Sequence, residues 1–114
     1  MKKITNIGGY VAYKEDTILV GLQKINENKN GFVIITEEDG TLVGTLTDGD
    51  VRRYITSKEN VNFDISLAMI CNRNCAFAFV GSSKIHGTGN VAHNPEFYPV
   101  VSKKLKVEAL MINK

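Results

Sequence analysis

Residues 32–53 read FVIITEEDGTLVGTLTDGDVRR. Phe32–Thr36 is an unbroken aromatic and β-branched run, the pattern of a strand buried on both faces. Glu37–Gly40 is acidic and ends in Asp-Gly, which favours a tight hairpin turn. Leu42–Thr47 returns as a second strand. Thr47 then precedes Asp48–Asp50, which open a short helix holding Val51, Tyr54 and Ile55.

Working outward, Gly9–Tyr13 (GYVAY) is a short apolar segment, a strand or an extended lead-in. Asp16 or Thr17 is placed to cap a helix. Ile18, Leu19, Leu22 and Ile25 follow at the spacing of one helical face. Gly21 weakens that helix without breaking it, and Gly31 suits its stop. After that lead-in the first half therefore reads helix, strand, turn, strand, helix. Downstream, 57–62 is a polar linker, and Asp64 is placed to cap a turn or helix over ISLAMI. Ala76–Val80 reads as a strand. Residues 81–94, rich in Gly, Ser, Thr, Asn and His, have no helical period and read as a mobile loop. Tyr98–Val101 and Lys106–Ile112 form two more strands around the turn 102–104. A strand–turn–strand unit thus recurs after about 65 residues, as in a tandem repeat.

Composition narrows the function. The chain has 114 residues, 43% of them hydrophobic, enough for one compact domain with a modest core. Fourteen Lys and Arg stand against twelve Asp and Glu, a formal net charge of +2. That balance supplies neither the basic face nucleic acid needs nor a membrane-binding stripe. No apolar run approaches the roughly 18 residues of a membrane span. The start, MKKITNIGGYVAY, lacks the apolar core of a signal peptide, which points to the cytoplasm. Two cysteines, Cys71 and Cys75, are no disulfide framework.

Residues 10–56 resemble a cystathionine-β-synthase (CBS) motif. The resemblance is carried by the apolar strand Phe32–Ile35, the acidic-glycine turn Glu37–Gly40, then Gly44, Thr47 and Asp50 in the pattern Gly-x-x-Thr-x-x-Asp. More narrowly, LQKINENKNGFVII followed by GTLTDGDVRR is similar to the CBS region in front of some bacterial sugar-phosphate nucleotidyltransferase domains. Nothing in these residues resembles the Gly-rich substrate loop of that catalytic domain, so the chain itself reads as no enzyme. The resemblance implies an α+β fold: a CBS-type βαββα unit followed by a degenerate, incomplete second CBS motif. It implies a single CBS-pair-like domain over 1–114, with a first motif at 10–57 and a second at 63–114. It also implies a regulatory role, with AMP, ATP or S-adenosylmethionine as the ligand class.

The residues fit that chemistry. Backbone N–H groups at a helix start can hold a phosphate, and the Thr47 hydroxyl adds a donor. A carboxylate such as Asp50 accepts two hydroxyl protons, which suits a ribose diol. Arg52 and Arg53 are placed to neutralise a polyphosphate. Gly31, Phe32 and Val33, where such families place the base, together with Val11 and Ala12, supply the adenine slot. The same residues also have a plainly structural use: Asp48 or Asp50 as a helix cap, Thr47 in a turn, and the arginines as solvated charges. Asp48 and Asp50 as catalytic carboxylates lack a partner base or metal cluster.

The second repeat departs from the pattern. Aligned strand on strand, Gly44 matches Glu108, Thr47 matches Met111 and Asp50 matches Lys114, so Gly, Thr and Asp are all lost. The ligand therefore belongs to the first motif. The sequence stops as its last strand stops, which fits a piece of a longer enzyme or a half-size protein. Either leaves faces that a homodimer would cover.

Other constellations are weaker. Cys71-x-x-x-Cys75 with His86 and His93 has zinc-type donors, but the His spacing exceeds the usual three to five intervening residues. A Cys-His nucleophile lacks an orienting third group. Gly87–Asn90 opens no helix and is not a phosphate loop. Phe77 and Phe79 read as strand packing, not as a platform for bases, since basic neighbours are missing.

Overall fold

The computed structural model describes residues 2–57, 59–87 and 95–113. Ten short strands and helices carry the fold: β1 (Lys2–Ile4), β2 (Val11–Tyr13), α1 (Ile18–Asn28), β3 (Phe32–Thr36), β4 (Leu42–Thr47), α2 (Asp48–Thr56), β5 (Phe77–Phe79), β6 (Ile85–His86), β7 (Phe97–Val101) and β8 (Val107–Ile112). Two 3-10 turns, Gly8–Tyr10 and Leu67–Met69, complete it. The fold is α+β, with the βαββα order expected of the first unit.

β2, β3 and β4 form one sheet, with β2 parallel and β4 antiparallel to β3. The other sheet has the order β1-β8-β7-β5-β6. The helices begin where capping residues predict. The Thr17 hydroxyl accepts from the Val20 N–H at the start of α1. Thr47 and Asp50 form a reciprocal capping box on α2. Ile18 and Ile25 of α1 and Val51 of α2 pack on Ala12, Val33, Ile35 and Leu46. Leu19 departs from the expected apolar face. It is 50% exposed, and the buried residue of that turn is Gly21, over which Leu46 and Leu67 pack closely.

The opposite face of the first sheet meets the second sheet. Phe32 and Ile34 pack there on Leu110 and Ile112, with Ile4, Tyr10 and Phe97 around them. The N-terminal β1 lies antiparallel on β8, so the two ends of the chain share one sheet.

The repeat is a true structural one. Both hairpins break register at the same place, between Ile35 and Thr36 and between Val100 and Val101. Ile35 faces Gly44 as Val100 faces Ala109, and Phe32 faces Thr47 as Phe97 faces Ile112. The separation is therefore 65 positions, as from 35 to 100 and from 44 to 109. This shifts the sequence alignment by one: Gly44 corresponds to Ala109 and Thr47 to Ile112, not to Glu108 and Met111. The matching bulges set the frame, and a bulge is invisible to a count of apolar residues.

Between β5 and β7 the described residues hold no helix; the short β6 pairs with β5 instead. Residues 88–94 of the expected mobile loop lie outside the described residues. ISLAMI forms only the 3-10 turn at Leu67–Met69. No helix among the described residues is long and apolar enough to cross a membrane.

Candidate functional site

The two halves leave a cleft of about 320 Å³ between them. One wall is the end of β4 and the start of α2, with Thr45, Thr47, Asp50 and Arg53. The other is Ala76 and Pro95–Phe97 from the second half. Asn72 and Cys75 close its floor.

Asp50 organises the first wall. Its Oδ2 accepts from the Thr47 backbone N–H at 2.9 Å and from the Thr47 hydroxyl at 3.0 Å. The Thr47 Oγ1 accepts in turn from the Asp50 N–H at 3.1 Å. The Asp50 Oδ1 receives a hydrogen bond from Arg53 Nη2, one turn on. The Asp50 side chain is 14% exposed and that of Arg53 74%, so the carboxylate is set in the wall and the guanidinium swings over it. Oδ2 thus has both lone pairs engaged, and Oδ1 keeps one for a hydroxyl donor.

The start of α2 is occupied. The Asp48 N–H donates to the Gly31 carbonyl at 3.1 Å. The Asp50 N–H donates to Thr47. Two of the first three helix N–H groups thus have partners, and Asp48 and Asp50 already bring negative charge to the positive end of the helix. This is a poor phosphate cradle, contrary to the sequence expectation. The motif that marks the helix start also caps it.

The floor is fixed by a backbone approach. Thr45 and Asn72 exchange N–H···O bonds of 3.0 and 2.8 Å. Gly44 passes so close that an added Cβ would lie 2.4 Å from the Asn72 carbonyl oxygen. Only glycine fits, which gives the Gly of Gly-x-x-Thr a packing reason. Burial pushes the Cys75 thiol up to about 11, partly offset by hydrogen bonds that include one with Thr45. Burial also raises the Cys71 thiol.

The structure gathers Thr47, Asp50 and Arg53 on this cleft. Gly31 and Phe32 line an adjoining recess with Thr47, Asp48, Glu96 and Phe97. Val33 and Ala12 have no exposed surface and belong to the helix–sheet core. Val11, half-buried, lies on β2 beside Ile34 and lines neither recess. Arg52 is exposed and lines neither recess, because successive helix residues point about 100° apart. Ala76, Glu96 and Phe97 escaped the sequence reading. The repeat was their only signal: Glu96-Phe97 stands where Gly31-Phe32 stands in the first half.

Among the described residues no group of three or more His, Cys, Asp and Glu could hold a metal ion. Cys71 and Cys75 are free thiols, and His86 stacks on Phe77. His93 lies outside the described residues.

Two strand–turn–strand units that share one register pattern thus meet across a cleft with Thr45, Thr47, Asp50 and Arg53 on one side and Ala76 and Pro95–Phe97 on the other. Solved structures place this arrangement. A CBS domain protein from Streptococcus pneumoniae TIGR4 superposes with a TM-score of 0.77 at 13% identity, covering 98% of this chain and 77% of its own. The CBS domain NE2398 gives 0.69 at 20% identity, covering 90% and 80%. Staphylococcus aureus OpuCA gives 0.70 at 14% identity, covering 99% and 87%. The chain has the CBS fold. No protein-family model matches it, and no curated protein matches it by sequence.

Proposed function

We propose that this chain is a cytoplasmic regulatory module that binds an adenosyl ligand of the AMP, ATP or S-adenosylmethionine class in the cleft between its halves. The observation that carries the reading is the convergence of Thr47, Asp50 and Arg53 on a cleft whose far wall holds Ala76 and Phe97. Asp50 Oδ1 receives a ribose hydroxyl, Thr47 holds that carboxylate in place, Arg53 adds donors, and the base lies toward the second half. Arg52 plays no part. Gly31 and Phe32 contribute through the adjoining recess. Ala12 and Val33 act by shaping the core behind it, and Val11 plays no direct part.

A ligand held by both halves favours one arrangement of the molecule over another. That bias passes to an attached or partner enzyme, a sugar-phosphate nucleotidyltransferase in our reading, through a homodimer. Calorimetry with adenosine, AMP, ATP and S-adenosylmethionine tests it. Heat of binding from at least one is expected; silence from all four at millimolar concentration would sink the ligand claim.

A second reading is a ligand-free dimerisation module. It is favoured by Asp50 itself, whose oxygens already serve Thr47 and Arg53. Asp50→Ala separates the two. As a binding residue its loss abolishes ligand-induced thermal stabilisation. As a cap alone its loss lowers basal stability by about 1 kcal/mol and nothing more.

A further inference from the structure

The repeat makes a second cleft, and the chain fills that one itself. Ala12 pairs with Ile35 as Ala78 pairs with Val100. Tyr10, two residues before Ala12, therefore occupies the place that Ala76 holds in the open cleft. Its ring stacks on Phe32, with centroids 5.8 Å apart and planes 28° apart. Its hydroxyl accepts from Asn30 Nδ2 at 2.8 Å. Asn28 ties the turn that carries it, donating to the Gly9 carbonyl at 3.2 Å and to the Phe32 carbonyl at 2.8 Å. The walls match this occupant. Thr45 and Thr47 of the open cleft are replaced by Leu110 and Ile112, which pack with Phe32 and Tyr10.

Between the halves Phe32 stacks on Phe97, with centroids 3.7 Å apart and planes 7° apart. Each phenyl ring thus has one face on its twin and another toward a cleft. Over Phe32 that place is taken by Tyr10. Over Phe97, beside Ala76, no described residue takes it.

We infer that Tyr10 is an internal stand-in for a planar ring ligand, and that the open cleft takes such a ring stacked against Phe97, with Ala76 as the residue that keeps the slot clear. Offset aromatic stacking at centroid separations of about 4.5–7 Å is favourable in its own right. The inference rests on the cleft's reading as an adenosyl site only for the identity of the ring.

Two probes test it by titration followed by NMR: adenosine, and 4-methylphenol as the bare shape of the tyrosine side chain. Wild-type protein is expected to take one equivalent of 4-methylphenol. Tyr10→Ala should take two, since the second slot is vacated. Ala76→Tyr should take none and melt no lower than wild type, because the new ring fills the slot. Phe97→Leu, which keeps an apolar residue there, should bind at least tenfold more weakly, and it serves if Ala76→Tyr does not fold. Adenosine should follow 4-methylphenol in the wild type and in Ala76→Tyr. If 4-methylphenol binds as described and adenosine does not, the adenosyl reading fails and the ring slot stands. If wild type takes neither probe, or if Ala76→Tyr and Phe97→Leu bind like wild type, the inference is overturned.

Discussion

Asp50 shows how one residue serves fold and site together. Its carboxylate closes the capping box on Thr47 and anchors Arg53, while still facing the cleft. Asp48 and Glu96 add two more carboxylates around the adjoining recess. Among the described cleft residues Arg53 is the only cation, and it is already paired. Like charges repel a polyphosphate, and the helix start has few donors left for one. Adenosine is therefore expected to bind at least tenfold more tightly than ATP. The gap should narrow at high salt, since exposed charges are screened. Calorimetry in low and high salt reads both, and tighter ATP binding would return the arginines to the role the sequence assigned them. Cys75 gives a pH test at the same scale. Its folded pKa of about 11 lies above the ordinary 9.0 because burial disfavours the thiolate. The raised value contributes stability that is full below pH 9 and declines as pH rises toward 11. Cys75→Ser, with its non-ionising hydroxyl, should flatten this alkaline decline, which denaturant titrations between pH 8 and 11 would measure.

The hairpin turns carry the repeat's clearest difference between its halves. Gly40 turns the first hairpin at φ 92°, and Leu105, 65 positions on, turns the second at φ 65°. A left-handed conformation costs a residue with a Cβ roughly 1–2 kcal/mol. Glycine there gives back about 0.4–1 kcal/mol through the freer unfolded chain. Leu105 is 40% exposed, so most of its surface still packs, and the burial lost in Leu105→Gly offsets the backbone relief. Leu105→Gly should thus change stability by less than about 1 kcal/mol and Gly40→Ala destabilise the protein by about 1 kcal/mol, read as shifts in the urea midpoint. Elements of this kind also mark what the sequence reveals. β3, β4 and both helices were legible, because FVIIT is aromatic and β-branched throughout and Thr17 and Thr47 are strong caps. β1 was not: Lys-Lys-Ile has no strand pattern of its own and is ordered by β8. β6, two residues long, gives periodicity nothing to detect. The site divides the same way. Thr47, Asp50 and Arg53 stand in one contiguous motif, whereas Ala76, Glu96 and Phe97 join it only through tertiary packing. The family resemblance and the need for an apolar slot also placed Val33 and Ala12 there, and neither says which face a strand buried on both sides turns to a ligand.

At the scale of the molecule the halves are stitched together twice. Behind the cleft, Phe32 and Ile34 pack on Leu110 and Ile112. At the hairpin ends the stitch is symmetric: the Leu42 N–H donates to the Leu105 carbonyl at 2.8 Å, and the Val107 N–H to the Gly40 carbonyl at 2.9 Å. Lys106 crosses there to Asp39 at 3.1 Å. Asp39, held down to about 2 mainly by hydrogen bonds from Thr41, keeps its charge until well below the ordinary carboxylate range. Neither half has a sheet that is covered on both faces without the other. The chain should therefore unfold in one transition, and damage to the shared layer should loosen both halves and the cleft between them. Leu110 is wholly buried in that layer. Leu110→Ala is expected to cost about 3 kcal/mol, the usual range for a buried leucine. Native-state hydrogen exchange should then show protection falling together on β3 in the first sheet and β7 in the second. Two separate transitions, or a loss confined to β7 and β8, would mean that the halves fold independently. A ligand bridging them could not then report on one through the other.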